Sequence, residues 1–517
     1  MPTKITPRAQ DFPQWYQDVI SASPDLYDES PVTGAITFGP LATKLWGNIK
    51  GYLDHHLKAM GVENIMLPML IPESFFTREK EHVEGFAPEV AVVTHAGGAK
   101  LPEPYYVRPT SELLFVDWYG RNGKIQSHRD LPLLVNQWCS VMRWEKRPRA
   151  FLRTSEFHWQ EGHCLFADEA SCRKHTLAFL DLYATLCEEL LAIPVVKGEK
   201  PEHERFPGAM ATYTIEGMMQ DGKALQMGTS HMLSQHFLMD SDGSPRVSFL
   251  NEEGKQTVPF YDSWGVSTRL LGAVFMSHGD DDGIVLPPFL APVSTAVLPI
   301  LAGDAKENEK IRSEARKLAG LIADSKEIPF ALHGREKSFE ELACTSCHDG
   351  VSSSVRIDQR EGVRLGDKTF QQIHDGTPVR IELGKKELEE GMCMVKSRIR
   401  SRDDAKKVPL KDAAKEVANM LEEDQKTLFE RAQQRMEKNT LHASSYDEVK
   451  DALATGKWVE MAWDGSQKTV EQLKAETSGG TIRCFAFDAK EDAKKENDPL
   501  SGKPSAFTKR VIVGKAY

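Results

Sequence analysis

Residues 151–163 read FLRTSEFHWQEGH, a run with the spacing of an extended strand but no greasy face to bury. Side chains alternate along a strand. Arg153, Ser155, Phe157, Trp159, Glu161 and His163 are therefore expected on one face, with Thr154, Glu156, His158 and Gln160 on the other. One row thus offers a cation, two large aromatic surfaces, a carboxylate and an imidazole. The neighbouring segments EVAVVTH, YYVRPTSE and LLVNQWCSVMRWE are also strand-like, with few helical intervals between them. Together they predict an α+β fold built on a large, mainly antiparallel sheet rather than a doubly wound parallel one.

Leu41, Leu45, Ile49, Leu53, Leu57 and Met60 recur at three- and four-residue steps, predicting a helix over 41–60 that Gly61 ends. The following NIMLPML is expected to be a short buried strand, and Pro68 assigns it to a sheet edge. A long helix running into an edge strand suits pairing with a second copy through residues 41–69; an intramolecular helix on a sheet edge fits the pattern equally. A second amphipathic helix is expected over 174–192. After Leu286 the texture alternates β and α: APVSTAVLPI, a helix over 310–323, IPFALH, SVRIDQR and PVRIELG. This predicts a small α/β unit beginning at Pro287-Pro288. The expected domains are 1–286, 287–395 and 396–517. The last opens on a basic run (Lys396, Arg398, Arg400, Arg402, Lys406, Lys407) that reads as phosphate contacts, followed by a charged helix to about residue 438.

The 517 residues suffice for about three domains with sizeable cores. MPTKITPRAQDFPQWYQ lacks the apolar stretch of a signal peptide, and no apolar run approaches the ~18 residues of a membrane span. Eight scattered cysteines do not make a disulfide framework. A cytoplasmic location, away from the membrane, is therefore expected. The net charge of −11 argues against generic coating of nucleic acid, but leaves room for local basic patches.

Arg143 and Arg153 lie in MRWEKRPRAFLRT, on strands joined by a short basic loop with Pro148. Paired arginines on one side form a fork for carboxylate and phosphate oxygens; either one alone would read as a salt bridge. Beside them, an aromatic face can sandwich a planar base, and Glu161 with His163 can hold an amine. Thr110 and Glu112 of RPTSE add a hydroxyl and a carboxylate to one strand face, or else cap and open a helix at ELLFVDWY. QMGTSHM sets Gln226, Thr229 and His231 on a polar strand where Gly228 permits close approach. Arg269 stands near a helix start, against the macrodipole, a position that calls for an anion.

Over nearly its whole length the chain resembles the prolyl-tRNA synthetases of the archaeal/eukaryote-like type, which are class II aminoacyl-tRNA synthetases. The resemblance is carried by GVENIMLPM, RPTSE, NQWCSVMRWE through FLRTSEFHWQEGH, GTSH, and SWGVSTR leading to GIVLPP, in that order. It implies a class II catalytic domain with a mainly antiparallel sheet flanked by helices, an α/β anticodon-binding domain and a small α/β C-terminal domain. It also implies activation of L-proline with ATP and transfer of prolyl to tRNA(Pro), by a homodimer that pairs through residues 41–69. Thr110 and Glu112 would hold the imino nitrogen of proline. His163, His231, Trp159, Glu161, Phe206, Ser263 and Gly265 would form the rest of that pocket. Arg143 would bridge the proline carboxylate and the α-phosphate. Glu145, Arg153 and Phe157 would place adenine and phosphates, Gln226, Thr229 and Ser267 would complete the nucleotide site, and Arg269 would take the far phosphates. Arg143, Arg269 and Mg²⁺ would neutralise the charge that builds at the α-phosphate. Lys368 falls where the family binds anticodon bases.

The family's C-terminal cysteines often hold zinc. Here Ser501 stands where one might be and Cys484 is alone, so no zinc is expected and no side chain is assigned to a metal. CTSCH (Cys344, Cys347, His348) matches the haem-attachment spacing, but reads as a loop motif on an insertion. The ~100 residues between His163 and Asp262 leave little room for an inserted editing domain of at least ~50. Low-level activation of alanine or cysteine is therefore expected. The alternative, a catalytically silent paralogue acting as a tRNA-binding or regulatory module, should have lost Arg143, Arg269 or Glu112, and all three are present.

Overall fold

The computed structural model describes residues 4–76, 90–121, 123–240, 242–301, 304–325, 345–348 and 351–517. The expected IPFALH strand and Cys344 lie outside the described residues. In chain order, the elements that position the site are α1 (Pro40–Ala59), β1 (Glu63–Asn64), α2 (Glu112–Arg121), β2 (Leu133–Met142), β3 (Glu156–Phe166), α3 (Glu169–Thr185), β4 (Val195–Glu199), β5 (Ala209–Met218), β6 (Ala224–Leu233), β7 (Phe260–Ser267) and α4 (Arg269–His278). The second unit has β8 (Val293–Pro299), α5 (Ala305–Ala323), β9 (Thr345–His348), β10 (Val351–Ile357), α6 (Leu365–His374), β11 (Val379–Leu383), β12 (Met392–Ser397), β13 (Lys406–Pro409) and α7 (Ala413–Lys438). The C-terminal part adds β14 (Thr440–His442), β15 (Trp458–Met461), β16 (Gly480–Ala486) and β17 (Val511–Lys515).

Among the described residues, one 11-stranded sheet runs in the order β14-β15-β17-β16-β4-β5-β6-β7-β3-β2-β1. Its centre, from β4 to β2, is antiparallel throughout; of the strand-like run at 89–163 only β2 and β3 lie in it, whereas Val92–Ala96 and Ala99–Val107 pair with Leu70–Pro72 in a separate 3-stranded sheet. The C-terminal strands do not form a sheet of their own. β16 pairs antiparallel with β4, with Phe485 opposite Glu199, so the C-terminal part extends the catalytic sheet. A second, 6-stranded sheet, β9-β10-β8-β11-β12-β13, mixes parallel and antiparallel pairs. This is the α/β unit expected after Leu286.

α3 covers one face of the central sheet, burying Cys172, Thr176, Phe179, Leu180 and Tyr183. It starts at Glu169, earlier than the expected 174, because Asp168 caps it by accepting the Ser171 N–H at 2.8 Å. Phe179 stacks on Trp264 of β7 with 3.7 Å between ring centroids. Gly162 stands opposite Trp264 in register, and a Cβ there would lie 2.0 Å from the indole. Only glycine therefore lets β3 and β7 pair beneath that ring.

Three expectations need correction. NIMLPML is not a buried strand. Only Glu63 and Asn64 pair with β2, and beyond them Met66 is 94% and Met69 51% exposed. Polar contacts hold the segment instead: Arg108 donates to the Leu67 and Pro68 carbonyls, and the Leu67 N–H to Gln137 Oε1. The boundary expected at 396 falls inside β12. The sheet continues through β13, and the first half of α7 packs into the same core as Val297, Ile381 and Val395. Finally, β3 begins only at Glu156. Arg149 and Arg153 bridge a tight turn whose Phe151 has φ 63°, so Arg153 and Ser155 do not share the strand row. Burial of Phe151 against Tyr27, Phe38 and Phe275 favours that left-handed turn over continued extension.

Candidate active site

Register across four strands assembles the site. Thr212 of β5, His231 of β6, Ser263 of β7 and His163 of β3 stand opposite one another in a row. Two residues further along, Thr229, Gly265, Glu161 and Gln137 form a second row on the same face. Ser267, Trp159 and Cys139 form a third. α2 closes one side. Glu112 is its first residue, so RPTSE opens a helix rather than running on as a strand, and Thr110 Oγ1 donates to Glu112 Oε2 at 2.5 Å.

Members of these rows line a cavity of about 250 Å³. All ten residues expected to hold proline border it: Thr110, Glu112, Arg143, Trp159, Glu161, His163, Phe206, His231, Ser263 and Gly265. Of the expected nucleotide residues, Gln226 and Thr229 border it as well, whereas Glu145, Arg153, Phe157, Ser267 and Arg269 lie outside the lining.

The polar groups are tightly held. Glu161 accepts from Gln137 Nε2 at 2.8 Å, and Gln137 also donates to Ser111 Oγ. His163 stacks on Phe115 at 4.0 Å and touches Tyr261 OH at 2.6 Å and Glu161 Oε2 at 3.1 Å. The Trp159 indole donates to Cys139 Sγ, which fixes its plane. His231 lies against Phe206, and burial pushes its pKa down to about 4, so its imidazole is neutral near pH 7. Ser263 Oγ is buried without a hydrogen-bond partner, a polar vacancy suited to a ligand. Two buried carboxylates, Glu112 and Glu161, thus face a small space that can hold a cationic amine.

Guanidinium groups gather beside the cavity. Arg143 is anchored by its Nε–H on the Pro109 carbonyl, with its charge 5.5 Å from the ring centroids of both Phe157 and Trp159. Arg153 pairs with Glu145 at 3.0 Å. Arg269 opens α4 with no acidic residue in its first turn, and its Nε–H donates to the Leu152 carbonyl. Burial, then repulsion from Arg143 and Arg153, pushes its pKa down to about 10. A cation so destabilised is one that an incoming anion stabilises strongly.

Sequence reasoning missed Glu204, Arg205 and Thr212, which also border the cavity. Thr212 carried a signal, as a polar residue on a strand of the same alternating set. The two charged residues sit in a short 3-10 turn and the residue after it, a segment without periodicity.

In the second unit, Lys368 is buried. It is 2% exposed, donates to the Asp358 carbonyl at 3.0 Å, and borders a cleft of about 610 Å³ with Arg312, Arg360 and Arg364. The basic run after 396 is not a free phosphate-binding stripe. Lys396, Arg398, Arg400, Lys406 and Lys407 pair with Glu382, Asp280, Asp424, Glu416 and Glu390 respectively. The linear run is basic, but folding supplies a carboxylate to each of these five.

Residues 99–278 match the family described as "tRNA synthetase class II core domain (G, H, P, S and T)". Residues 305–420 match "Anticodon binding domain", and residues 446–517 match "Prolyl-tRNA synthetase, C-terminal". The chain is 40% identical to the proline--tRNA ligase of Roseiflexus sp. (strain RS-1), over 99% of each chain. It is 39% identical to that of Salinibacter ruber (strain DSM 13855 / M31), over 100% of each. It is also 40% identical to "Proline--tRNA ligase 2" of Clostridioides difficile (strain 630), over 94% of this chain and 93% of that protein. With its core, anticodon-binding and C-terminal regions all matched, the chain belongs to the proline--tRNA ligase family of class II aminoacyl-tRNA synthetases.

Proposed function

We propose that this chain activates L-proline with ATP in the cavity between α2 and β3, and then transfers prolyl to the 3′ end of tRNA(Pro). The observation that carries the reading is that two buried carboxylates, Glu112 and Glu161, share a cavity with Arg143, which lies within electrostatic reach of Arg269. Such a site attracts a molecule with an ammonium at one end and an anion at the other, and its volume of about 250 Å³ suits a small amino acid.

In this reading Glu112, oriented by Thr110, takes the imino group, and the apolar edges of Phe206 and Trp159 enclose the ring. The proline carboxylate is already ionised and needs no general base. Its oxygen attacks the α-phosphorus and pyrophosphate leaves, so no proton moves. The barrier is the meeting of two anions, and Arg143 and Arg269 lower it by standing ready with fixed positive charge. Phe157 offers its face to adenine, and Gln226, Thr229 and Ser267 are placed for the nucleotide's polar edges. Mg²⁺ takes oxygen donors, which the phosphates would provide, and when bound it supplies further charge neutralisation. The adenylate carbonyl is then attacked by the terminal ribose hydroxyl of the tRNA, releasing AMP.

Lys368 and the arginines around its cleft are assigned to anticodon bases. The exposed Met60, Met66 and Met69 are assigned to a homodimer interface, since apolar groups so exposed gain by mutual burial. No described helix is long and apolar enough to cross a membrane; work in the cytoplasm fits a tRNA substrate.

The test is amino-acid-dependent ATP–pyrophosphate exchange across a panel of amino acids. Proline should give the dominant signal. No exchange with any amino acid, alongside retained tRNA binding, would favour the silent paralogue.

A further inference from the structure

Behind the floor of the cavity, on the face of the sheet covered by α3, three side chains of different chemistry converge. Cys164 of β3 and Asp262 of β7 stand directly opposite in register, so they leave the sheet on the same side. His175 of α3 reaches down to them, its Nδ1 2.7 Å from Asp262 Oδ2. One ligand atom from each of the three lies within 4.8 Å of the other two. Cys172, nearly one helical turn before His175, is also buried.

Ordinary packing leaves this cluster unsatisfied. Asp262 is fully buried, and while its Oδ2 meets His175 and Thr176, its Oδ1 has no hydrogen-bond partner. The His175 Nε2 is likewise buried and unpartnered. A buried polar atom left unpaired costs about 1–3 kcal/mol. Three rings wrap the imidazole, Phe166, Phe179 and Trp264, with centroids at 4.8, 4.6 and 6.4 Å.

We propose that Cys164, His175 and Asp262 bind a Zn²⁺ ion, with Cys172 or a water molecule as the fourth donor. A thiol, an imidazole and a carboxylate together select a borderline metal such as zinc over Mg²⁺ or Ca²⁺, which take oxygen donors. Bonds of ~2.0–2.3 Å in a tetrahedron set donor atoms ~3.3–3.8 Å apart, so the present spacing needs shifts of about 1 Å or less. Binding releases the Cys164 proton to solvent and satisfies the unpartnered carboxylate oxygen. The aromatic rings around it lower the local dielectric. The site lies outside the C-terminal region from which zinc was argued to be absent. Its role is to pin α3 to β3 and β7 directly beneath His163 and Ser263, the sequence neighbours of Cys164 and Asp262 that face the amino-acid cavity.

The test uses the full chain, stripped with a chelator, reloaded with Zn²⁺ or Co²⁺ and passed through a desalting column, with metal per chain measured by elemental analysis. Wild type should retain one equivalent, and its Co²⁺ form should show thiolate-to-cobalt charge-transfer absorption. The Cys344→Ser/Cys347→Ser variant should behave the same. Cys164→Ser should weaken the charge-transfer band, abolishing it where water is the fourth donor, and Cys164→Ser/His175→Gln should lose the retained metal. Asp262→Asn gives a second route to the same loss should the cysteine variant fail to fold. A folded wild type that retains no metal overturns the proposal. So does retention that survives Cys164→Ser/His175→Gln or disappears in Cys344→Ser/Cys347→Ser.

Discussion

Arg483 is the side chain by which the C-terminal part closes onto the catalytic sheet. It meets Glu216 of β5 at 3.0 and 3.2 Å, and Lys200 Nζ meets the same carboxylate at 3.0 Å. All three are buried, at 8%, 0% and 2% exposure, so the triad carries one excess positive charge out of water. Burial alone would raise the Glu216 pKa, but Lys200 and Arg483 outweigh it and hold the carboxyl below its usual range. The charge count makes an unequal prediction. Glu216→Gln strands two buried cations, at about 3–5 kcal/mol. Arg483→Met leaves a neutral Lys200–Glu216 pair and loses only charged hydrogen bonds, at about 1.5–3 kcal/mol. In the Glu216→Gln background, Arg483→Met removes a cation with no counter-charge, so its cost should fall to about zero or reverse, a coupling of at least about 1.5–3 kcal/mol. Urea unfolding of the four proteins, with midpoints read by tryptophan fluorescence, measures it. ATP KM in pyrophosphate exchange should rise in the same variants, because Thr214 bonds Glu216 and Gln226 stands opposite Glu216 in register. If Arg483→Met costs the same in both backgrounds to within ~0.5 kcal/mol, the three side chains are not one electrostatic unit and the reasoning is refuted.

Arg269→Lys keeps the charge but loses the planar fork. It should lower kcat/KM for ATP about 10–100-fold in pyrophosphate exchange while changing proline KM less; unchanged ATP kinetics would remove Arg269 from the phosphate site. Glu112→Gln should raise proline KM about 10–100-fold with ATP KM nearly constant, since it deletes a charged hydrogen bond to the imino group. Alanine and cysteine should be activated with kcat/KM lower by at least ~10–200-fold but measurably, because a small pocket discriminates weakly against missing methylenes. His278 is 9% exposed, and burial pushes its pKa from 6.5 down to about 3, although the Leu191 carbonyl accepts its Nε2–H. Because the unfolded chain binds that proton first, stability is full above pH 6.5 and is lost as pH falls toward 3, by up to about 1.4 kcal/mol per pH unit. His278→Gln should flatten that acid limb in a series of unfolding curves, and an unchanged slope would contradict the assignment.

Local pattern made much of this protein legible. The alternation of Phe157, Trp159, Glu161 and His163 marks one face of a strand whatever lies beside it, because strand geometry sends every second side chain the same way. The apolar spacing over 41–60 determined α1 for a similar reason, and Arg269 opens a helix, as its place in the sequence predicts. What no linear reading contains is register and pairing across the fold. Whether Glu112 opened a helix or lay on a strand depended on where α2 closed the cavity. Met66 became exposed because β1 leaves the sheet after two residues, which hydropathy cannot report. The basic run after 396 lost its phosphate-binding character because Glu382, Asp424, Glu416 and Glu390 of neighbouring elements, and Asp280 from more than a hundred residues away, fold against it. Cys164, His175 and Asp262 carry no spacing signal, since two antiparallel strands and a helix bring them together from almost a hundred positions apart. Sequence sets which side of its own element a group occupies; only the packed sheet decides what it faces, because opposing residues are chosen by long-range hydrogen-bond register.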